Sequence, residues 1–245
     1  NAWIKGKGLD DIRESVTTRG NDPAFFYNCF YRINGAQDKL TYTNELFQLQ
    51  QELRNAKRRL VIVNEEITKP VPEEIAGIKR GNYVKQDQMI LDLAGNFNSI
   101  SNIELKRIVH KSFVDVILAE SKKEGINLNR LTNKAVYLIC WFRRYLPDLL
   151  SNWKMPKVGC FIYMGGCKNE NEAMFLSFLA RLPVDVLILC PNLNVRCCLS
   201  DKLLYEVNYS ESLSMNRYPE ESSQVKIGTA AYYAERDLDA LMYQD

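Results

Sequence analysis

Two adjacent glycines, Gly165 and Gly166, interrupt a run of apolar residues just ahead of a polar loop and an amphipathic stretch. Glycines so placed let a ligand approach the main chain, and the free N–H groups of a following helix N-terminus favour anions. The pair carries neither the three-glycine dinucleotide fingerprint nor the GK[ST] ending of a phosphate loop, and Glu170 and Glu172 already bring negative charge to the first helical turn. Phosphate binding therefore competes with a simple tight turn. Glu65 and Glu66 follow a second apolar run, where paired carboxylates could act as a base or hold a sugar hydroxyl or a metal, or could simply be solvated. Arg32 ends a third run, where a cation calls for a buried ion pair or an anionic ligand. Gly35 breaks that run, Asn192 follows the last one, and Thr229 sits at a strand-to-helix junction where capping is the simpler role. The candidate ligand-binding set is thus Arg32, Gly35, Gly165, Gly166, Asn192 and Thr229, with Glu65 and Glu66 as candidate catalytic carboxylates.

Other chemistries find less support. His110 is the lone histidine, which leaves no multi-histidine metal site, and no G-x-S-x-G elbow is present. Cys160, Cys167, Cys190, Cys197 and Cys198 lie near one another in sequence without C-x-x-C spacing, so no zinc or redox motif is read from them. No residue pattern assigns a cofactor.

The elements that must position these residues follow from periodicity. Residues 157–192 read as strand, glycine turn, helix, strand. Val158 to Tyr163 is nearly all apolar, as a strand buried on both faces requires, and Met174, Phe175, Phe178, Leu179 and Leu182 recur at helical spacing. Pro183 stops that helix before the apolar run Val184 to Leu189. A second βαβ unit precedes it: a strand from Ala24 to Ile33, a helix from Thr43 to Arg58 with Leu46, Leu49 and Leu53 on one stripe, and a strand from Leu60 to Val63. Between the units lies a helical block. It comprises Gln86 to Leu93, a longer helix opened by a Ser101–Glu104 capping box, and a helix from Asn129 to Tyr145 halted before Pro147. A short helix is expected over Trp3 to Thr18, and a strand over Leu203 to Asn208. A further strand, Val225 to Ile227, should pass through Gly228 and Thr229 into a helix. The expected fold is α/β, a Rossmann-like parallel sheet built from two βαβ units with a helical block inserted between them. Its segments are 1–82, 83–156 and 157–245.

Composition bounds the setting. The 46% hydrophobic and 25% charged fractions are those of a globular chain, and 245 residues suffice to bury a core. A net charge of +2 gives no electrostatic case for nucleic acid or an anionic membrane, and no apolar run reaches the length of a membrane helix. Seven cysteines, several inside apolar runs, point to a reducing, cytoplasmic setting. Asn1-Ala2 in place of an initiator Met reads as the scar of a cleaved tag, so a segment of a longer protein is expected.

Four stretches, PAFFYNCFYRING (Pro23 to Gly35), YTNEL (Tyr42 to Leu46), NENEAMFLSFLARLPVDVLILCP (Asn169 to Pro191) and GTAAYYAERDLDALMY (Gly228 to Tyr243), resemble the YceG-type proteins of bacterial tellurite- and stress-resistance operons. The resemblance implies a component of a biosynthetic module that accompanies tellurium-resistance proteins, with other proteins of the operon as partners. It carries no catalytic residue. Two functions remain open: a Rossmann-like transferase acting on a nucleotide, nucleotide-sugar or phosphorylated metabolite, or a non-catalytic assembly or regulatory subunit that docks through the aromatics Trp141, Phe142 and Tyr145.

Overall fold

A computed structural model of the chain describes residues 2–14, 19–20 and 22–220. Among them six strands form one parallel sheet: β1 (Ala2–Ile4), β2 (Tyr27–Asn34), β3 (Leu60–Val63), β4 (Gly159–Tyr163), β5 (Val184–Cys190) and β6 (Tyr205–Asn208). β1 and β6 share one edge of β2, and the order then runs β2, β5, β4, β3. The protein is thus α/β with a parallel sheet. β2 and β3, the strands that flank α2 (Tyr42–Asn55), do not touch. β5 and β4 lie between them, in register from Phe30↔Val186 through Phe161↔Val186 to Val61↔Phe161.

Strand alternation sorts the core into two layers. Cys160, Ile162, Leu187 and Leu189 face α2, whose Leu46, Leu49 and Leu53 are buried against them. On the other face Phe161, Tyr163, Val186 and Ile188 meet a helical block. The block comprises α4 (Gln86–Ala94), α5 (Ile103–Ser121) and α6 (Leu128–Leu150), joined by α7 (Glu170–Leu179). The interior strands are hydrophobic on both sides because helices cover both faces. Trp141 and Phe142 of α6 are buried, and the half-buried Tyr145 packs on Phe161 and Phe175. These three aromatics line the core and form no exposed docking patch.

Several local expectations are corrected. Trp3 to Thr18 is not one helix: Ala2–Ile4 pairs with β2, held there by Trp3 Nε1 donating to the Ala180 carbonyl at 2.9 Å, and only Leu9–Arg13 (α1) is helical. α6 runs through Pro147 to Leu150, because burying Leu149 and Leu150 offsets the one main-chain bond that proline removes. The cap of α5 is Asn102, whose side chain accepts from Leu105 N, in place of Ser101. Pro72–Ala76 (α3) adds a short helix with proline at its first position. The Val225–Thr229 junction and the helix after it lie outside the described residues.

The amino end of the sheet is sealed by charge. Asp185 on β5 is fully buried and accepts from Arg19 Nη1 at 2.8 Å, Arg58 Nη2 at 2.6 Å and the Cys29 amide at 2.7 Å. The two arginines also donate to the carbonyls of Ile12, Tyr27 and Gly159, tying α1, β2 and β4 to one carboxylate. Arg58, just past the end of α2, therefore serves this buried network.

Candidate functional site

In a parallel sheet covered on both faces, ligands bind outside the carboxyl ends of the strands. Here those ends carry a cleft of about 430 Å³ walled by the segments after β3, β4 and β5. The segment after β3 is pinned twice. Ile67 N donates to Glu172 Oε1 at 2.7 Å, and the Thr68 carbonyl accepts from Trp141 Nε1 at 3.0 Å and Arg144 Nη1 at 2.8 Å. Glu65 and Glu66, just before the pins, are left exposed at the cleft.

The turn after β4 needs its glycines. A Cβ on Gly165 would lie 2.5 Å from the Glu65 carbonyl oxygen and against the Tyr163 hydroxyl. Gly166 takes φ +82° and Cys167 follows at +46°, turning the chain toward the cap of α7, where Asn169 Oδ1 accepts from Glu172 N at 2.9 Å. Beneath this turn Tyr163 donates to the buried Glu172 at 2.6 Å, and Glu172 Oε2 has no hydrogen-bond partner among the described residues. Burial raises the Glu172 pKa above the ordinary carboxylate value, against the bonds donated by Tyr163 and Ile67, and nearby Glu66 pushes the same way.

The last wall comes from the segment after β6, which crosses the carboxyl ends of the strands like a strap. Tyr209 N donates to Asn34 O, Ala36 N to Glu211 O and Leu213 N to Pro191 O, at 2.8 to 2.9 Å. Tyr218 then closes it, its amide donating to Asn64 Oδ1 at 2.7 Å and its hydroxyl to the Leu46 carbonyl. Between these anchors Met215, Asn216 and Arg217 line the cleft.

The structure brings five of the sequence candidates together: Glu65, Glu66, Gly165, Gly166 and Asn192 all line the cleft. Arg32 and Gly35 lie apart from it, at the end of β2. Arg32 donates to Leu199 O at 3.0 Å and pairs with Glu206 on β6, as an ion pair would have it. Gly35 stands at φ +73°, and a Cβ there would meet Glu211 O and Tyr209 O, both at 2.7 Å, so the strap requires it. Thr229 lies outside the described residues. Sequence reading missed Lys168 and Arg217, the two exposed cations of the cleft. Neither they nor Glu65 and Glu66 are held in an ion pair by another described residue.

Over residues 5–243 the sequence matches the family described as the YceG domain. The chain belongs to the YceG domain family. No curated protein and no solved structure shows significant similarity to it. The match spans β2 to β6 and both helical layers, so the cleft lies inside the YceG domain. Lys168, two residues past Gly166, was within reach of the positional logic that singled out the turn; Arg217, on the far strap, had no local signal. No helix among the described residues is long and apolar enough to cross a membrane.

Proposed function

We propose that the chain is a Rossmann-like transferase that binds a nucleotide, nucleotide-sugar or phosphorylated metabolite in the cleft at the ends of β3, β4 and β5, as part of a tellurite- and stress-resistance biosynthetic module. One observation carries the reading: two cations without ion-pair partners among the described residues, Lys168 and Arg217, share a cleft with two such carboxylates, Glu65 and Glu66, around a glycine turn. Phosphate oxygens suit the cations, and the carboxylates suit hydroxyl groups, which they bind or deprotonate. A volume of about 430 Å³ lies within the range of small-molecule sites. All seven cysteines are free, which fits a reducing, cytoplasmic setting.

A thermal-shift screen against nucleotides, nucleotide-sugars and sugar phosphates tests this. A ligand at about 100 times its dissociation constant adds roughly 2.7 kcal/mol of stability. The gain should vanish in Lys168→Ala, a surface change that keeps the unliganded protein within about 0.5 kcal/mol of wild type. A flat screen, or a hit indifferent to both Lys168→Ala and Arg217→Ala, overturns the reading.

A further inference from the structure

The segments that wall the cleft also wall a second hollow, of about 610 Å³, bounded by the first turns of α6 and α7. Of the segment after β3, Glu65 and Glu66 face the cleft and Lys69 the hollow. Of the segment after β4, Lys168 faces the cleft, and Glu170 and Asn171 the hollow. Arg130, Asn133 and Lys134 come to the same hollow from α6.

Lys134 is a cation built into the wall. Its side chain is only 7% exposed, and its Nζ donates to Glu120 Oε1 on α5 at 2.5 Å and to Glu170 Oε2 at 2.9 Å. Neither carboxylate belongs to it alone. Lys123 lies 2.7 Å from the second oxygen of Glu120, and Arg130 lies 3.5 Å from Glu170. Lys69 is held in no ion pair by another described residue. The group thus holds four cations (Lys69, Lys123, Arg130 and Lys134) and two carboxylates, an excess of two positive charges. Glu170 registers this field. The Lys134 hydrogen bond first, then its charge, hold the Glu170 carboxyl below its ordinary value against slight desolvation, with Lys123 and Arg130 adding to the effect.

We propose that this hollow is an anion site separate from the cleft, and that it binds a phosphate group, esterified or free. A phosphate dianion supplies the two negative charges that the cluster lacks. Its oxygens accept charge-assisted hydrogen bonds from Lys69, Arg130 and Lys134 together, and the side-chain amides of Asn133 and Asn171 line the same space as neutral donors. The volume lies within the range of small-molecule sites, which leaves room for the remainder of a phosphate ester. Glu170 is the internal competitor, a half-exposed carboxylate on cations that the phosphate also engages. The assignment does not depend on what the cleft binds.

Isothermal titration calorimetry of the full chain with inorganic phosphate and with ribose phosphate, at fixed ionic strength, tests this. A saturable site is expected. Changing Lys69 and Arg130 together to alanine alters two exposed side chains and should weaken that site by roughly tenfold or more. Lys168→Ala and Arg217→Ala, in the cleft, should leave it unchanged. Glu170→Gln should strengthen it severalfold, because the change releases Lys134 and Arg130 to the ligand. Tighter binding of ribose phosphate than of the free ion would identify an ester as the ligand, and the reverse order would identify phosphate itself. The proposal is overturned if neither probe saturates, if the double variant loses no site, or if Glu170→Gln weakens binding.

Discussion

The two ends of one sheet treat charge in opposite ways. At the amino end Asp185 is buried with every partner in place, two guanidinium groups and an amide. At the carboxyl end Glu65, Glu66, Lys168 and Arg217 face a cleft with no ion-pair partner among the described residues. Charge inside a protein must be paired because desolvation is costly, so the amino-end network is a condition of folding. Exposed charge that lacks an internal partner adds little to stability and is free to meet a ligand. The fold is thus held at one end and available at the other.

This contrast can be broken by measurement. The largest effect belongs to Asp185→Asn, which leaves Arg19 and Arg58 buried beside a neutral amide; denaturant unfolding should show a loss of about 3–5 kcal/mol. A loss below about 1 kcal/mol would mean the amino end is not the anchor. Next comes Gly35→Ala, where the carboxyl end is covered by the strap. The added Cβ meets two carbonyl oxygens at 2.7 Å at a positive φ, and the same assay should read about 1–3 kcal/mol lost. Indifference there would show the strap to be loosely held. The smallest effect concerns a pair between the extremes. Arg144 hydrogen-bonds Glu74 with both side chains partly exposed and holds the Glu74 pKa below its ordinary 4.5. A depressed carboxylate pKa contributes stability above the unfolded value and loses it as pH falls through the folded one. Glu74→Gln should therefore cost no more than about 1 kcal/mol at neutral pH. In acid titrations followed by circular dichroism, the variant and wild type should converge as pH drops below 4.5. A gap that persists at low pH would place the pair's value in packing.

Legibility in the sequence followed the range of the interactions. β4, α7 and β5 were readable because their apolar periodicity is local, and Leu60–Val63 was located to the residue. Strand neighbours were not readable, since nothing local in β2 says that it pairs with β5. β1 escaped because three residues are too few to show a period. α6 passed Pro147 because tertiary burial outweighed a local stop signal. The cleft was partly visible for the same reason as the strands: Glu65, Glu66, Gly165, Gly166 and Asn192 each sit just past a recognisable run. Arg217 was hidden, since it reaches the cleft from a segment far along the chain from the strands it faces.

The interleaved strand order also bears on how the protein is made. Cys29 on β2 meets Asp185 on β5 across 156 residues of chain. At ribosomal speeds of about 5–20 residues per second, that interval is roughly 8–30 seconds. Throughout it the apolar segment Tyr27–Asn34 is out of the ribosome while the strand that will cover it does not yet exist. The first 60 or so residues are therefore a natural client for nascent-chain chaperones. Met215–Arg217, synthesised later still, complete the cleft only after the sheet has closed.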